Sequence, residues 1–402
     1  MSFEVGSGKA RMVPEAPARI SDPAGSADPD AKPRTDFFQM RAVKSLSETE
    51  HAALERLAWE YGQSPDAYLA MESDRHCFLA PDHSAAMSVV VSGRYIHIPG
   101  GILAPEQIRR QLIADLTAYS RSSRNLVAVY SVGEIDRPFF EEAGWEVSKF
   151  GEETWLKLSS LSWSGKPFEW VRRQSNYCQR AGLVCREVHR SSMDAASWQK
   201  LSDELFEVQR DDLKDRAYSE ELNMLLGKLE PHDMGRRRLF VAEDSRSNRV
   251  EAFVVATPMR GGRAWGLEMF RKRNDCPRGT IPFLLKWIID KLKSEGVEEV
   301  SLCMLLWKGT RTFLGKRTSP LVRWGLALAY HIGNPIYHTK GLAHFKTRFR
   351  PELSNIYTCV TPGSTILSCI NFLYIVGAFS FSPRNMLRNF WNHLTQRKGG
   401  GN

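Results

Sequence analysis

Residues 250–300 read VEAFVVATPMRGGRAWGLEMFRKRNDCPRGTIPFLLKWIIDKLKSEGVEEV. Residues 250–257 form an apolar run rich in β-branched and aromatic side chains, the composition of a strand. Arg260-Gly261-Gly262 marks a turn, because paired glycines accept positive φ, and residues 263–270 return as a second strand. A polar loop containing Pro277 and Gly279 leads into a helix over 280–294. There Ile281, Leu284, Leu285, Ile288, Ile289 and Leu292 recur at helical spacing. Gly296 stops the helix, and 299–303 reads as another strand. The unit is hairpin, loop, helix, strand. Its loop offers unpaired backbone N–H groups, with Arg273 and Arg278, at a helix N-terminus, an arrangement suited to a phosphate or carboxylate.

The same order occurs earlier in the chain. Ser47 and Glu50 form a capping-box signature ahead of a helix with Ala53, Leu54, Leu57 and Ala58 on one face. Strands follow at 77–79, 86–91 and 95–99. A helix from Pro105 carries Ile108, Leu112, Ile113, Leu116 and Tyr119 on one side. After it come a strand at 126–130, a short helix at 137–143 closed by Gly144, and strands at 146–149 and 154–158. This order recurs from about residue 238 and is an internal repeat at domain scale. Between the repeats, Pro167 and Gly182 bracket a helix over 167–181 that carries Arg172, Arg173 and Arg180. A second helix over 195–209 has Trp198, Leu201, Leu205 and Val208 as its core stripe. Arg236-Arg237-Arg238 leads into the second repeat. Burying three adjacent guanidinium groups is costly, so at least two are expected at solvent or phosphate.

The chain resembles the C-terminal domain of the lysylphosphatidylglycerol synthase (multiple peptide resistance factor) family over roughly residues 50–365. Glu268-Met269-Phe270-Arg271 stands where the family has Asp-Leu-Met-Arg. Gly279-Thr280-Ile281-Pro282 stands where it has Gly-Thr-Met-Asp, with Pro282 replacing an acid. Gly100-Gly101 falls at a Gly-Asp-Pro turn, and Lys149-Phe150-Gly151-Glu152-Glu153 at Lys-x-Gly-Glu-Glu. The run from Gly341 to Pro351, with Phe345, Lys346, Arg348 and Phe349, matches Gly-Leu-x-x-Phe-Lys-x-Lys-Phe-x-Pro. Lys166 and Arg172 match a Gly-Lys … Leu-Arg segment. From Met304 to Pro335 the agreement lapses.

The resemblance implies an α/β fold of two tandem acetyltransferase-like (GNAT) repeats joined by a helical bridge. The corresponding boundaries are a disordered tail at 1–35, a first repeat at 36–158, the bridge at 159–237 and a second, catalytic repeat at 238–361. An apolar helix and basic tail occupy 362–402. The first repeat lacks the basic loop of the second and is expected to be a structural or lipid-side half. The implied activity moves an amino acid from aminoacyl-tRNA to a lipid head group such as phosphatidylglycerol, with no cofactor and no metal. The ester donor is already activated, so the enzyme needs to position the acceptor and stabilise charge. Glu268 would take the amino acid's ammonium, and Arg271 a phosphate or carbonyl oxygen. Lys166, Arg172, Arg278, Gly279, Lys346 and Arg348 would hold tRNA or phosphate. Phe345 and Phe349 share a helical face as anchors, which leaves Lys346 and Arg348 free for phosphate. His344 is either a general base or a structural histidine.

Composition agrees with a globular chain that meets a polyanion. The 402 residues are 42% apolar and 25% charged, with a net charge of +9, which favours tRNA or an anionic membrane face. The seven cysteines show no paired spacing and read as reduced residues of a cytoplasmic protein. The N-terminus lacks the apolar region of a secretory signal. The expected location is cytoplasmic or peripheral at the inner membrane face. Residues 364–381, STILSCINFLYIVGAFSF, are shorter and more polar than a spanning helix of about 20 residues. They form either a helix in the membrane interface, with Arg384, Arg388, Arg397 and Lys398 behind it, or a core helix packed across the repeats. The rival activities are acyl-CoA-dependent N-acetyl transfer and aminoacyl-tRNA-dependent transfer to a peptide or cell-wall precursor. A tRNA- or lipid-binding module without activity is the non-enzymatic rival. The loop over 274–280 lacks the glycine pattern that cradles a CoA pyrophosphate.

Overall fold

The computed structural model describes residues 35–214, 224, 227–229, 234–332 and 339–377. The expected disordered tail at 1–35 lies almost wholly outside them. The first repeat comprises β1 (Met40–Ala42), α1 (Glu48–Tyr61), β2 (His76–Leu79), β3 (Ala86–Ser92), β4 (Tyr95–Ile98), α2 (Glu106–Ser123), β5 (Leu126–Val132), α3 (Arg137–Glu142) and β6 (Glu146–Lys157). The bridge holds α4 (Glu169–Arg180), β7 (Leu183–Val188) and α5 (Ala195–Lys214). The second repeat runs through β8 (Arg238–Asp244), β9 (Val250–Met259), β10 (Ala264–Lys272), α6 (Thr280–Ser294), β11 (Glu299–Ser301), β12 (Leu305–Leu306), α7 (Pro320–Ile332), α8 (Thr339–Thr347) and β13 (Glu352–Thr361). Helix α9 (Ile366–Ile375) follows.

Local chemistry accounts for most of these elements. Ser47 and Glu50 form both hydrogen bonds of the capping box that opens α1. The apolar stripe of α6 lies in one core with β8, β9 and β10. The stripe of α2 packs on Val127 and Val129 of β5, and that of α5 on β8 and β9. Each helix thus buries one face against the sheet. Strand β7 was not expected. Its Val184, Arg186 and Cys185 are exposed or half-buried at the sheet's edge, so its sequence lacks a clean apolar alternation.

All the described strands form one sheet, in the order β1-β2-β3-β4-β5-β13-β6-β11-β10-β9-β8-β7, with β12 also on β6. Each repeat contains a parallel pair, β4 with β5 and β10 with β11. The closing strands are exchanged. Strand β13 of the second repeat pairs with β5 of the first, and β6 of the first pairs with β11 of the second. The two closing strands also pair antiparallel with each other. The strands expected at 146–149 and 154–158 are a single strand, β6. Its ladder with β13 passes from Gly151 to Lys149, leaving Phe150 as an extra residue, so a bulge resembles a break in the pattern.

A 3₁₀ segment, Pro65–Met71, is wedged between the repeats at two glycines. A Cβ on Gly100 would lie 2.5 Å from Ala67 Cα, and one on Gly266 would lie 2.5 Å from Pro65 Cγ. Gly101 has a φ of +76°, like the +77° of Gly100, but open space around it. Gly101→Ala should therefore cost only the left-handed backbone strain, about 1 kcal/mol. Gly100→Ala should cost ~2–4 kcal/mol because backbone must also move. Urea unfolding midpoints compare the two, and equal losses would contradict the wedge.

Candidate functional site

The site begins at a fault in the β9–β10 ladder. Pairing runs to Leu267 opposite Ala256 and resumes at Met269 opposite Val255. Glu268 is the extra residue, and a bulge re-aims the side chain it carries. The carboxylate is buried and accepts hydrogen bonds from Thr257 Oγ1 at 2.5 Å and Gly227 N at 2.5 Å. Burial pushes its pKa up to about 7, against the pull of Thr257, Arg237 and Gly227.

Four further groups surround this one. Cys303, just after β11, has a φ of +65°, and its Sγ donates to Leu267 O at 3.2 Å. Lys346, Glu153, Glu268 and Asp66 all act electrostatically on Cys303, and burial holds its thiol protonated. Glu153 of β6 accepts from Ser301 Oγ. Burial raises Glu153 to about 7, with Ser301 opposing and the charge of Asp66 adding. Asp66 lies on the 65–71 segment and accepts from Ser131 Oγ. The protein around it pushes it up to about 6. Lys346 of α8 is 3% exposed and donates through Nζ to Met304 O at 3.1 Å. Burial lowers its pKa, while Cys303, Glu153 and Asp66 pull the other way. The result is a set of acids held near neutrality beside one buried lysine, where little free charge is needed to shift a proton.

A second feature adjoins α8. A cleft of about 550 Å³ is lined by Lys166, Trp170, Arg173, His344, Arg348 and Arg350, together with Pro167, Glu169 and Thr347. The guanidinium of Arg348 lies 4.7 Å from the Trp170 ring centre, and its Nε donates to His344 Nε2 at 3.2 Å. Phe349 is fully buried, and the rings of Phe345 and Phe349 are 5.7 Å apart. Helix α8 therefore has two working faces, with Lys346 in the cluster and His344 in the cleft.

Several sequence expectations need correction. Lys166 and Arg348 come together as a basic surface, but Lys346 is buried and does not point to solvent. Arg172 donates to Trp163 O and to Gly165 O, the latter at 2.7 Å, and so tethers the turn before α4. The N-terminus of α6 is not an open anion cradle. A Cβ on Gly279 would lie 3.0 Å from Gln174 Cβ of α4, and Cys178 Sγ donates to Arg278 O at 3.7 Å. Pro282, third in the helix, has no N–H to offer. Arg278 itself is exposed. Arg273 is committed to Val250 O at 2.8 Å and Glu207 at 3.3 Å. Arg271 is buried beside α5, with Nε 3.8 Å from Asp212. In the arginine triplet only Arg236 faces solvent. Arg238 is ion-paired with Glu187 at 2.7 Å and Glu295 at 2.6 Å, and Arg237 is buried near Glu268. The first repeat supplies Asp66 and Glu153 to the cluster.

A family model described as "Phosphatidylglycerol lysyltransferase, C-terminal" matches residues 55–360. The chain belongs to this family. The bifunctional lysylphosphatidylglycerol biosynthesis protein LysX of Mycolicibacterium vanbaalenii is 23% identical over 274 residues, covering 68% of this chain and 24% of LysX. The phosphatidylglycerol lysyltransferase of Bacillus subtilis is 21% identical over 316 residues, 77% of this chain and 35% of that protein. The match thus spans only a quarter to a third of these curated relatives. Two solved structures share the fold with a TM-score of 0.65, each covering 82% of this chain and 95% of the other. One is the C-terminal domain of a putative lysylphosphatidylglycerol synthetase from Agrobacterium fabrum, at 20% identity. The other is L-PGS from Bacillus licheniformis, at 17%. The fold is an α/β arrangement, one mixed sheet with helices packed on it, as expected from the sequence.

Within the phosphatidylglycerol lysyltransferase match lie all five cluster residues: Asp66, Glu153, Glu268, Cys303 and Lys346. Glu268 was legible from its motif. Glu153 lies in the Gly151-Glu152-Glu153 motif, which by itself does not separate its role from that of Glu152. Asp66 and Cys303 carried no local signal. The cluster makes stability depend on pH. Glu268 and Glu153 ordinarily titrate at 4.5, and both lie near 7 when folded. The folded state therefore holds extra protons between those values, and their contribution to stability, full below 4.5, is lost as pH rises through 7. Glu268→Gln and Glu153→Gln should each reduce the stability lost between pH 5 and pH 8 by roughly 1–3 kcal/mol. Urea midpoints at the two pH values check this, and slopes equal to the parent's would contradict it.

Proposed function

We propose that this protein transfers an aminoacyl group from aminoacyl-tRNA to the head group of a phospholipid such as phosphatidylglycerol. The observation that carries this reading is α8, which turns Lys346 into the acid cluster and His344 toward the basic cleft. Lys166, Arg173, Arg348 and Arg350 supply positive charge for tRNA phosphates, and Trp170 offers a ring on which a terminal base can stack. The amino acid's ammonium would approach Glu268. A carboxyl near its midpoint ionises fully when a cation arrives, so the buried acid becomes a charge partner only when occupied. The acceptor hydroxyl forms a new ester bond as the tRNA ribose oxygen leaves. One proton moves from acceptor to ribose oxygen, and Glu153, near neutrality, is suited to accept and return it. No resident cofactor is needed. An acyl-CoA donor fits less well, because α4 covers the helix N-terminus that would cradle a pyrophosphate and Pro282 removes an N–H.

Purified protein incubated with total tRNA charged with labelled amino acids and phosphatidylglycerol-containing vesicles should move label into the organic phase. Glu268→Ala should reduce that transfer at least ~100-fold, taking charged-group contributions at buried sites as a guide. Retention of label on tRNA with every amino acid would overturn the reading. Lys166→Ala and Arg348→Ala should raise the KM for charged tRNA and each lower the salt-dependence slope by about one. An unchanged slope would remove the cleft from the donor site.

A further inference from the structure

On the sheet face opposite α2, helices α7 and α9 lie over β5, β6 and β13. Helix α9 buries Phe372 and Val376 with Tyr130 and Phe150, and turns Ile366, Leu367, Ile370 and Tyr374 outward, at 48–68% exposure. Helix α7 likewise exposes Leu321, Trp324 and Leu328. The two helices flank one apolar crevice of about 190 Å³, with Leu321 and Leu326 on one wall and Cys369 and Leu373 on the other. The exposed side chains are therefore neighbours on one surface. A contiguous apolar face of this kind marks an interaction site. Both helices, of 13 and 10 residues, are too short to cross a bilayer, which takes about 20.

The charge of the chain segment that carries this face is one-sided. From Val300 to Pro351 the chain has nine lysines and arginines and no acid, and from Leu353 to Asn402 four and none. Glu352 is thus the single acid in the last 103 residues, and residues 1–299 hold 42 bases against 45 acids. The net positive charge of the protein comes from the segment that carries α7 and α9. Arg311 sits at the patch with its guanidinium 4.4 Å from the Trp324 ring centre, and Arg323 donates to Arg311 O at 2.8 Å. Lys316 and Arg317 are exposed in the loop before α7, where Arg317 donates to Gly144 O. Apolar side chains with Trp and Tyr among them, bordered by Arg311 and Arg323, with Glu146 engaged by Ser364 at the start of α9, match a helix pair lying in the boundary of an anionic membrane. A two-fold dimer through this face would set these bases against their own copies, whereas lipid phosphates would offset them.

We propose that α7 and α9 dock this protein on anionic bilayers, with their outer faces at the acyl boundary and Arg311, Lys316 and Arg323 among the lipid phosphates. This deepens the lipid-acceptor reading by naming the surface that meets the lipid, and its test does not depend on transfer. The full chain should float with vesicles containing 30% phosphatidylglycerol at least tenfold more than with phosphatidylcholine vesicles, and less so as salt rises. Leu328→Glu/Ile370→Glu should lower that binding at least tenfold, with the thermal melt and transfer to detergent-dispersed lipid unchanged. Arg311→Ala/Lys316→Ala should remove the preference for anionic vesicles. Quenching by brominated lipid should fall in Trp324→Phe. Equal flotation of the parent and Leu328→Glu/Ile370→Glu overturns the proposal. So does light scattering that shows a dimer converted to monomer by the same variant. Flotation as expected with no transfer from any charged tRNA leaves the docking surface standing and removes the transfer activity. Transfer to vesicles that survives Leu328→Glu/Ile370→Glu does the reverse.

Discussion

The exchange of β6 and β13 is the constraint on which the remaining structure depends. Each parallel pair, β4–β5 and β10–β11, leaves one strand edge that its own repeat does not close. The edge of β5 is closed by β13 and that of β11 by β6, so neither repeat completes its backbone hydrogen bonding without the other. The exchange also brings distant residues together. Glu153 reaches Ser301 because β6 runs beside β11, and Asp66 reaches Ser131 because the 65–71 segment fits against Gly100. The acid cluster is a product of the seam, with residues from both sides.

Burial at that seam governs its electrostatics. Three acids and one lysine share a region where ionising any one of them is costly, and each therefore moves toward its neutral form. Hydrogen bonds from Thr257, Gly227, Ser301 and Ser131 limit the shift without cancelling it. Such a cluster responds strongly to an arriving cation, which a group already paired in a salt bridge would not. The peripheral arginines behave differently. Arg238, Arg249 and Arg260 are engaged by carboxylates and contribute to the frame. The open positive charge collects around α8 and α7.

These surfaces give the molecule a direction. The basic cleft lies against α4 and the outer face of α8, and the apolar face lies on α7 and α9 over the central strands. Among the described residues no helix is long and apolar enough to cross a membrane. Residues 364–381 were open between a core helix and an interfacial one. Through 377, the end of the described part, α9 packs one face on the sheet and leaves the other exposed.

The repeat, the hairpin–helix–strand unit, the limits of α6 and the family are legible along the chain. These rest on local properties: apolar periodicity, turn glycines, caps, and motifs read residue by residue. Glu268 was legible for the same reason, and so was the pairing of Phe345 with Phe349 on one face. That β6 is one strand, that the closing strands exchange, and that Lys346 and Arg237 are buried emerges from the folded chain alone. It alone showed α4 covering the N-terminus of α6. A charged side chain in an apolar stretch reads as exposed until its partners are known, and those partners lie far away in the chain. Lys346 interacts with Glu153 and Asp66 across nearly 200 and 300 residues, a separation over which no local pattern carries information.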